Sequence, residues 1–429
     1  MKLAVFGLWH LGTVTAACTA AAGISTVAMD LDRDRIAKLA KGEPPLYEPG
    51  LAELIQSGLS SGNLAFGSDV TAVSKADVVW ICHDTPVDEE DRADTDVVLR
   101  QVTMLFPHLK NGAVVLVSAQ LPVGFVTALE KSFAAQDGGR TVSFACSPEN
   151  LRLGKAIEVF QNPGRIIVGV RDKRARVILE PFLGKFCHNL IWMSVKSAEM
   201  VKHGLNSFLA MSVTFANELG TVCEQVGADA TEVERGLKSD PRIGPGAYLR
   251  PGPAFAGGTL ARDVQFLRGL AKENGLSLPV IEGVLESNRH HGGWTYRQLA
   301  RALKPLSGRT IGVLGLAYKP GTSALRRSSS IELIRALLKD SASVQAFDPH
   351  VSTLPEELTP VRLCSDARSV ANGADAIVIG NESPEFRGLS ADDLAGTMKG
   401  RLVIDAGRFL GATLGSDSRL SLISVGRVS

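Results

Sequence analysis

The sequence predicts an α/β protein built from two Rossmann-like, doubly wound domains joined by a long central helix. A short apolar run closed by a glycine-punctuated turn occupies residues 2–12, and a second run of the same kind occupies residues 310–315. Between them, residues 198–226 contain no proline and carry apolar residues at spacings of three and four, the period of a buried helix. At 429 residues the chain is long for a single core, so two or three domains are expected, and 45% apolar residues leave ample material to bury.

Taken in order, residues 2–7 form a β-type run leading through Gly7-Leu8-Trp9-His10-Leu11-Gly12 into an Ala-rich helix at residues 11–22. Residues 26–30 read as a second buried strand that ends in Asp30. Apolar runs at residues 78–82, 113–117 and 165–170 alternate with helical patterns, which carries the first domain to residue 195. Residues 196–303 show helical periodicity with few strand candidates and form the central domain. The third domain, residues 304–429, opens with the strand at Thr310, passes through a helix near residues 331–338 and reaches a strand ending at Phe347-Asp348-Pro349. Residues 374–380 and 402–405 supply its later strands. The apolar stretch at residues 3–29 imitates a signal peptide, but Gly7, His10, Gly12 and Gly23 interrupt it, as a strand, turn and buried helix require.

With 46 basic against 45 acidic residues, nothing in the charge argues for nucleic acid or a membrane surface as partner. Six widely spaced cysteines without a CxxC pair read as reduced thiols, which points to the cytoplasm. His290 and His291 are adjacent and cannot both face one metal from one helix face, so no metal is expected. There is no phosphate-cradling GxxxxGK[ST] loop and no GxSxG elbow.

The turn after the first strand has the geometry of a dinucleotide site. In GxGxxG, the first glycine makes the turn, the second admits the pyrophosphate and the third lets the helix pack on the strand. Gly7 and Gly12 keep the outer positions, while Trp9 stands at the middle one. Its bulk leaves two readings open: a turn reshaped around the cofactor, or one that no longer binds it. Asp30 stands where a carboxylate accepts a hydrogen bond from an adenosine ribose hydroxyl, the preference of NAD sites over NADP sites.

Five further segments carry a family resemblance. Residues 41–51 (KGEPPLYEPGL) are similar to KGxxPIYEPGL, residues 147–152 (SPENLR) to xPEFLRE, residues 198–210 (AEMVKHGLNSFLA) to AEMxKYAxNAFLA, and residues 315–322 (GLAYKPGT) to GLAFKPNT. Residues 248–263 (YLRPGPAFAGGTLARD) resemble YLxPGxGFGGSCFPKD, in a frame fixed by Tyr248, Pro251, Gly252, Phe255, Gly257 and Asp263. These patterns are those of the UDP-glucose and GDP-mannose dehydrogenases, and the resemblance runs nearly end to end.

The resemblance implies oxidation of the C6 hydroxyl of a nucleotide sugar with NAD, of the kind that feeds polysaccharide biosynthesis, in a homodimer formed through the central helix. It implies catalytic roles for Glu149 as general acid or base, for Lys202, Asn206 and Asp263 around the sugar C6, and for Thr259 at the nucleophile's position. Lys202 and Asn206 are four apart and so share one helix face, where a lysine can stabilise an oxyanion and an acid can take up a proton. Gly7, Trp9, Gly12, Asp30, Thr85, Pro86 and Arg326 would contact NAD. Tyr248, Arg250, Phe255 and Gly257 would line the nucleotide-sugar loop, Tyr318 and Lys319 would reach the nucleotide, and Arg242 would enter from a partner subunit.

The register also places Thr259 where the family has its cysteine. A threonine hydroxyl is a poor nucleophile without a dedicated base, so the thioester route to the acid is in doubt. Gln120, Asp84, the pair Ser323-Ala324, Arg262 and Arg327 depart from the family pattern as well. Three readings are compatible with these departures: an NAD-dependent oxidoreductase that stops at the aldehyde or reaches the uronic acid through a hydrate, a redox-neutral epimerase-like enzyme, and a catalytically silent nucleotide-sugar binding protein.

Overall fold

A computed structural model describes residues 1–85 and 94–427. The chain divides into two compact units, Met1–Gly204 and Leu205–Ser429.

The first unit is a single sheet with helices on both faces. Its strands are β1 (Lys2–Phe6), β2 (Ser25–Met29), β3 (Leu64–Gly67), β4 (Val78–Ile81), β5 (Val114–Val117), β6 (Ser143–Cys146), β7 (Ile166–Gly169) and β8 (Leu190–Met193). They lie in the order β3-β2-β1-β4-β5-β6-β7-β8. Neighbours pair in parallel except β6 with β7. The helices are α1 (His10–Ala21), α2 (Arg33–Leu39), α3 (Leu51–Ser60), α4 (Thr95–Thr103), α5 (Phe125–Ala134), α6 (Ala156–Gln161), α7 (Lys173–Leu183) and the start of α8 (Val195–Val226).

Period-two alternation decides which core each strand residue joins. Leu3, Val5, Val78 and Trp80 face one apolar cluster, while Ala4, Phe6, Val79 and Ile81 face the other. β4, β5 and β6 are buried along their whole length, as parallel strands covered on both faces should be. Phe106, Phe133 and Phe144 form a three-ring contact in the second cluster, with centroids 5.3 to 6.1 Å apart.

The second unit continues α8 into α9 (Ala230–Ser239), α10 (Thr259–Glu273), α11 (Pro279–Gly292) and α12 (Trp294–Leu303). A second sheet comes next, with β9 (Thr310–Leu314), β10 (Ser343–Phe347), β11 (Arg362–Leu363), β12 (Ala376–Ile379), β13 (Leu402–Ile404) and β14 (Ser421–Ile423). Its order is β11-β10-β9-β12-β13-β14, parallel throughout, which is the doubly wound arrangement expected. Its helices are α13 (Ser329–Lys339), α14 (Ala391–Ala395) and α15 (Gly411–Leu414). Ser328 caps α13 through its hydroxyl.

The predicted strands fall within a residue or two of those found, and the predicted central helix starts three residues earlier than expected. Three strands of the first sheet, β3, β6 and β8, were not anticipated: each carries at most one β-branched residue, whereas the equally short β4, β5 and β7 are rich in valine and isoleucine. Phe106→Ala removes the hub of the three-ring contact, and an equilibrium urea titration should show a loss of about 3–5 kcal/mol. An unchanged midpoint would contradict this account of the core.

Candidate active site

In the first unit the β1–α1 turn is held by steric necessity. Gly7 has φ +93°, and a Cβ there would sit 2.8 Å from His83 Nδ1. A Cβ on Gly12 would lie 1.8 Å from the Gly7 carbonyl oxygen, so α1 packs directly on the turn. Trp9 does not fill this space. It is 42% exposed, and the Arg35 guanidinium stands 5.3 Å from its ring centroid. Trp9 lines the same cleft as Gly7, Leu8 and Asp30.

Asp30 follows β2 and is nearly buried. Its Oδ2 accepts from the Leu8 backbone N–H at 2.7 Å and from Arg35 Nη1 at 2.7 Å, while Oδ1 accepts from the Asp32 N–H at 2.9 Å. Leu8, Asp30 and Arg35, with His83, Asp84 and Gln101, line an open cleft. The cleft fits an adenosine-bearing cofactor: it has a carboxylate at the strand end, a turn with close backbone access, and a buried ring nitrogen, His83 Nδ1, without a partner. Thr85 is buried and donates to the Gln120 carbonyl at 2.9 Å. Pro86 lies outside the described residues.

Glu149 and Lys202 meet in a second cavity of the same unit, lined also by Ser118, Gln120, Cys146 and Glu199. Lys202 Nζ donates to the Glu149 carbonyl at 2.8 Å and to Oε1 at 3.0 Å, and Glu149 Oε2 accepts from the Leu151 N–H at 2.8 Å. Lys202 thereby places an ammonium where it can stabilise an oxyanion and holds the carboxylate beside it. Cys146 is not a substitute nucleophile, because burial raises its thiol well above the usual range and keeps it protonated.

The segment after Glu149 is anchored by Glu48, which accepts from the Gly154 and Ala156 N–H groups at 2.8 Å each and pairs with His10 at 2.9 Å. One buried carboxylate therefore ties the start of α1 to that segment. Glu199 similarly accepts from the N–H groups of Gly124 and Val126 at the start of α5.

In the second unit, Asn206 on α8 donates through Nδ2 to Asp263 Oδ2 at 2.5 Å, and Asp263 is fully buried. Asp263 sits on α10, one turn beyond Thr259, which is exposed at the first position of that helix. The preceding loop is fixed by residues that no motif flagged. Asn217 Oδ1 accepts from the Gly252 N–H at 2.9 Å, Asn288 exchanges two hydrogen bonds with the Phe255 backbone, and His291 meets the Gly252 carbonyl at 2.8 Å. His291 is thus a structural clamp, in keeping with its sequence reading.

The structure brings some of the predicted substrate residues together. Gly257 has φ +73°, and the Tyr318 ring packs where its Cβ would be, 2.7 Å away. Lys319 Nζ lies 5.5 Å from the Tyr318 ring centroid. Arg250 donates to the Gly407 carbonyl and pairs with Glu382 at 3.3 Å. Tyr248 is 61% exposed on the loop. Arg326 is exposed between β9 and α13. Arg242 joins neither group, being exposed and paired with Asp240 of its own turn at 2.7 Å. Among the described residues, no three His, Cys, Asp or Glu side chains converge as metal ligands, and no helix is long and apolar enough to cross a membrane.

Comparison with known proteins gives a consistent picture. Residues 1–186, 196–290 and 312–412 match, in order, the NAD binding domain, the central domain and the UDP binding domain of the UDP-glucose/GDP-mannose dehydrogenase family. A UDP-glucose 6-dehydrogenase of Rhizobium meliloti is 34% identical over 414 residues, 94% of each chain. Among solved structures, a UDP-glucose dehydrogenase from Pyrobaculum islandicum has TM-score 0.84 at 30% identity, covering 94% of this chain and 93% of its own. A UDP-D-ManNAc dehydrogenase from Pyrococcus horikoshii has TM-score 0.85 at 25% identity, covering 100% and 99%.

Burial pushes the His83 ring down to about 4, outweighing the Asp30 charge that pulls it up. An unfolded histidine titrates near ~6.5, so below that pH the unfolded chain binds a proton that the folded ring refuses. Stability should therefore fall as the pH drops from about 6.5 to 4, by up to about 3 kcal/mol from this group. Thermal melts of the ligand-free protein across this window should show the fall, and His83→Asn should flatten it. An identical profile in the variant would contradict the assignment.

Proposed function

Because the chain belongs to the UDP-glucose/GDP-mannose dehydrogenase family, we propose that it oxidises the C6 hydroxyl of a UDP-linked sugar, with NAD as hydride acceptor. The observation that carries this reading is the ordered match to all three family segments in a chain that keeps Glu149, Lys202, Asn206 and Asp263. The epimerase-like and silent-binder readings find no support among the named relatives, all of them dehydrogenases. The domains are taken as residues 1–195, 196–303 and 304–429.

When bound, NAD supplies the hydride-accepting nicotinamide. Gly7 and Gly12 admit it to the α1 N-terminus, Asp30 takes the ribose, and Trp9, Thr85, Pro86 and Arg326 complete its contacts. Tyr248, Arg250, Phe255, Gly257, Tyr318 and Lys319 hold the nucleotide sugar. The family resemblance assigns Lys202 to stabilise an alkoxide at C6, Asn206 to donate a hydrogen bond to it and Asp263 to take up the hydroxyl proton. The first oxidation converts R–CH2OH and NAD into R–CHO, NADH and a proton.

Thr259 decides the fate of the aldehyde. Without a thiol, it is not captured as a thiohemiacetal. Either the aldehyde is the product, or Glu149 would act as the base that adds water to it, giving R–CH(OH)2, whose oxidation with a second NAD would yield R–COOH and NADH.

A homodimer is the proposed assembly. Phe208, Phe215 and Val222 are spaced seven apart on α8 and are 60%, 51% and 55% exposed, which makes an apolar stripe suited to a second copy of the helix. Arg242, on its exposed turn, would reach a partner's site. Six free cysteines, five of them buried, support a cytoplasmic location.

Purified protein mixed with NAD and a panel of nucleotide sugars should produce NADH with at least one UDP-sugar. Lys202→Met should lower turnover by about 100-fold or more, and Thr259→Cys should add or speed a second oxidation. Isomerised product without net NADH would overturn the reading. Sedimentation should separately show a dimer that Phe208→Asp/Phe215→Asp converts to monomer, whereas an unaltered dimer would place the interface elsewhere.

A further inference from the structure

We propose that His83 is a cofactor-contacting residue whose imidazole Nδ1 accepts a hydrogen bond from a hydroxyl of the dinucleotide's adenosine ribose. This rests on the NAD reading above and adds a residue that no motif supplies. His83 follows β4, packs edge-on against Phe6 with centroids 4.7 Å apart, and occupies the space left by the missing Cβ of Gly7. It therefore lies against the turn that presents the dinucleotide, in the cleft that also holds Asp30, Trp9 and Gln101.

The ring is one hydrogen bond short. Nδ1 is buried without a partner, and in the neutral tautomer that carries its proton on Nε2 the Nδ1 lone pair is in need of a donor. A buried polar atom of this kind costs stability until something satisfies it. A phosphate has no proton to give at neutral pH, whereas a ribose hydroxyl does. Because burial keeps the ring neutral near pH 7, it offers a lone pair and not a charge.

The second sheet provides an internal control. There Asn381, after β12, packs on Gly315, after β9, as His83 packs on Gly7, with the missing Cβ 2.5 Å from the Asn381 side chain. Both polar atoms of that amide are used: Nδ2 donates to the Ala317 carbonyl at 3.1 Å and to Asp348 Oδ2 at 3.2 Å, and Oδ1 accepts from the Ser383 N–H at 3.2 Å. The same architectural position is thus satisfied within the protein in one sheet and left without a partner, beside a cleft, in the other.

The test uses the full-length, ligand-free protein and its His83→Leu and His83→Asn variants. Calorimetric titration with NAD and with ADP-ribose should weaken about five- to ten-fold in His83→Leu, the value of one hydrogen bond. It should stay within about two-fold of wild type in His83→Asn, whose amide oxygen can accept in place of Nδ1. In 15N-histidine-labelled protein, the Nδ1 resonance of His83 should shift on addition of ADP-ribose and not on addition of UDP-glucose. Unchanged affinity in His83→Leu with an unmoved resonance would overturn the proposal, since a buried water would then be the partner. Equal loss in both variants would overturn it too, by reducing His83 to packing. Wild-type protein that binds neither NAD nor ADP-ribose would instead overturn the cofactor reading on which the proposal rests.

Discussion

Each sheet depends on one hydrogen bond between a carboxylate and a backbone amide. At the end of a second strand, a nearly buried aspartate catches the first N–H beyond the glycine turn: Asp30 takes that of Leu8 at 2.7 Å, and Asp348 takes that of Leu316 at 2.8 Å. Each amide lies in the turn beyond its strand, so the carboxylate both satisfies it and fixes the path of the chain. The glycine before each adopts nearly the same backbone angle, φ +93° at Gly7 and +95° at Gly315. The two sites then diverge. Asp348 is closed over by Asn381, while Asp30 faces a cleft and shares its charge with Arg35. One device thus yields a purely structural joint in one sheet and a ligand-ready edge in the other.

The chemistry is similarly set by a few polar side chains on a rigid frame. Lys202 is held to Glu149, and Asn206 to Asp263, so each reactive group comes with a partner that fixes its position. Thr259, which the proposed reading puts at the nucleophile's position, is the first residue of α10. The positive end of a helix would favour a thiolate there, but it cannot bring an alcohol into a useful range. On the proposed reading, an alcohol at this position leaves no covalent route, and a second oxidation proceeds through water.

Much of this was legible in the sequence, for physical reasons. Glycines at forced positions and period-two apolar runs revealed both sheets, and an uninterrupted helical period revealed α8. The candidate site was legible because its motifs lie in short, gap-free segments, so that Tyr248 to Asp263 could be placed in register. Glu48, Asn217, Asn288 and His83 were not legible. Each acts across the fold on a backbone group or turn far away in sequence, as Glu48 does on Gly154, and such contacts leave no spacing to read. For Trp9 the sequence shows residue volume but not the direction of the side chain, so it left two readings open. The exposed stripe of α8 was read only as helical period, since burial on one side and exposure on the other require the packed structure.

The central claim is that a nucleotide sugar is oxidised here without a covalent enzyme–substrate bond. Intact-protein mass spectrometry on enzyme quenched during turnover with NAD and a UDP-sugar tests it most directly. The account predicts that NADH accumulates while the protein mass stays that of the free chain. A mass increase equal to an acyl-linked sugar nucleotide, mapped to Thr259 or to any cysteine, would contradict it.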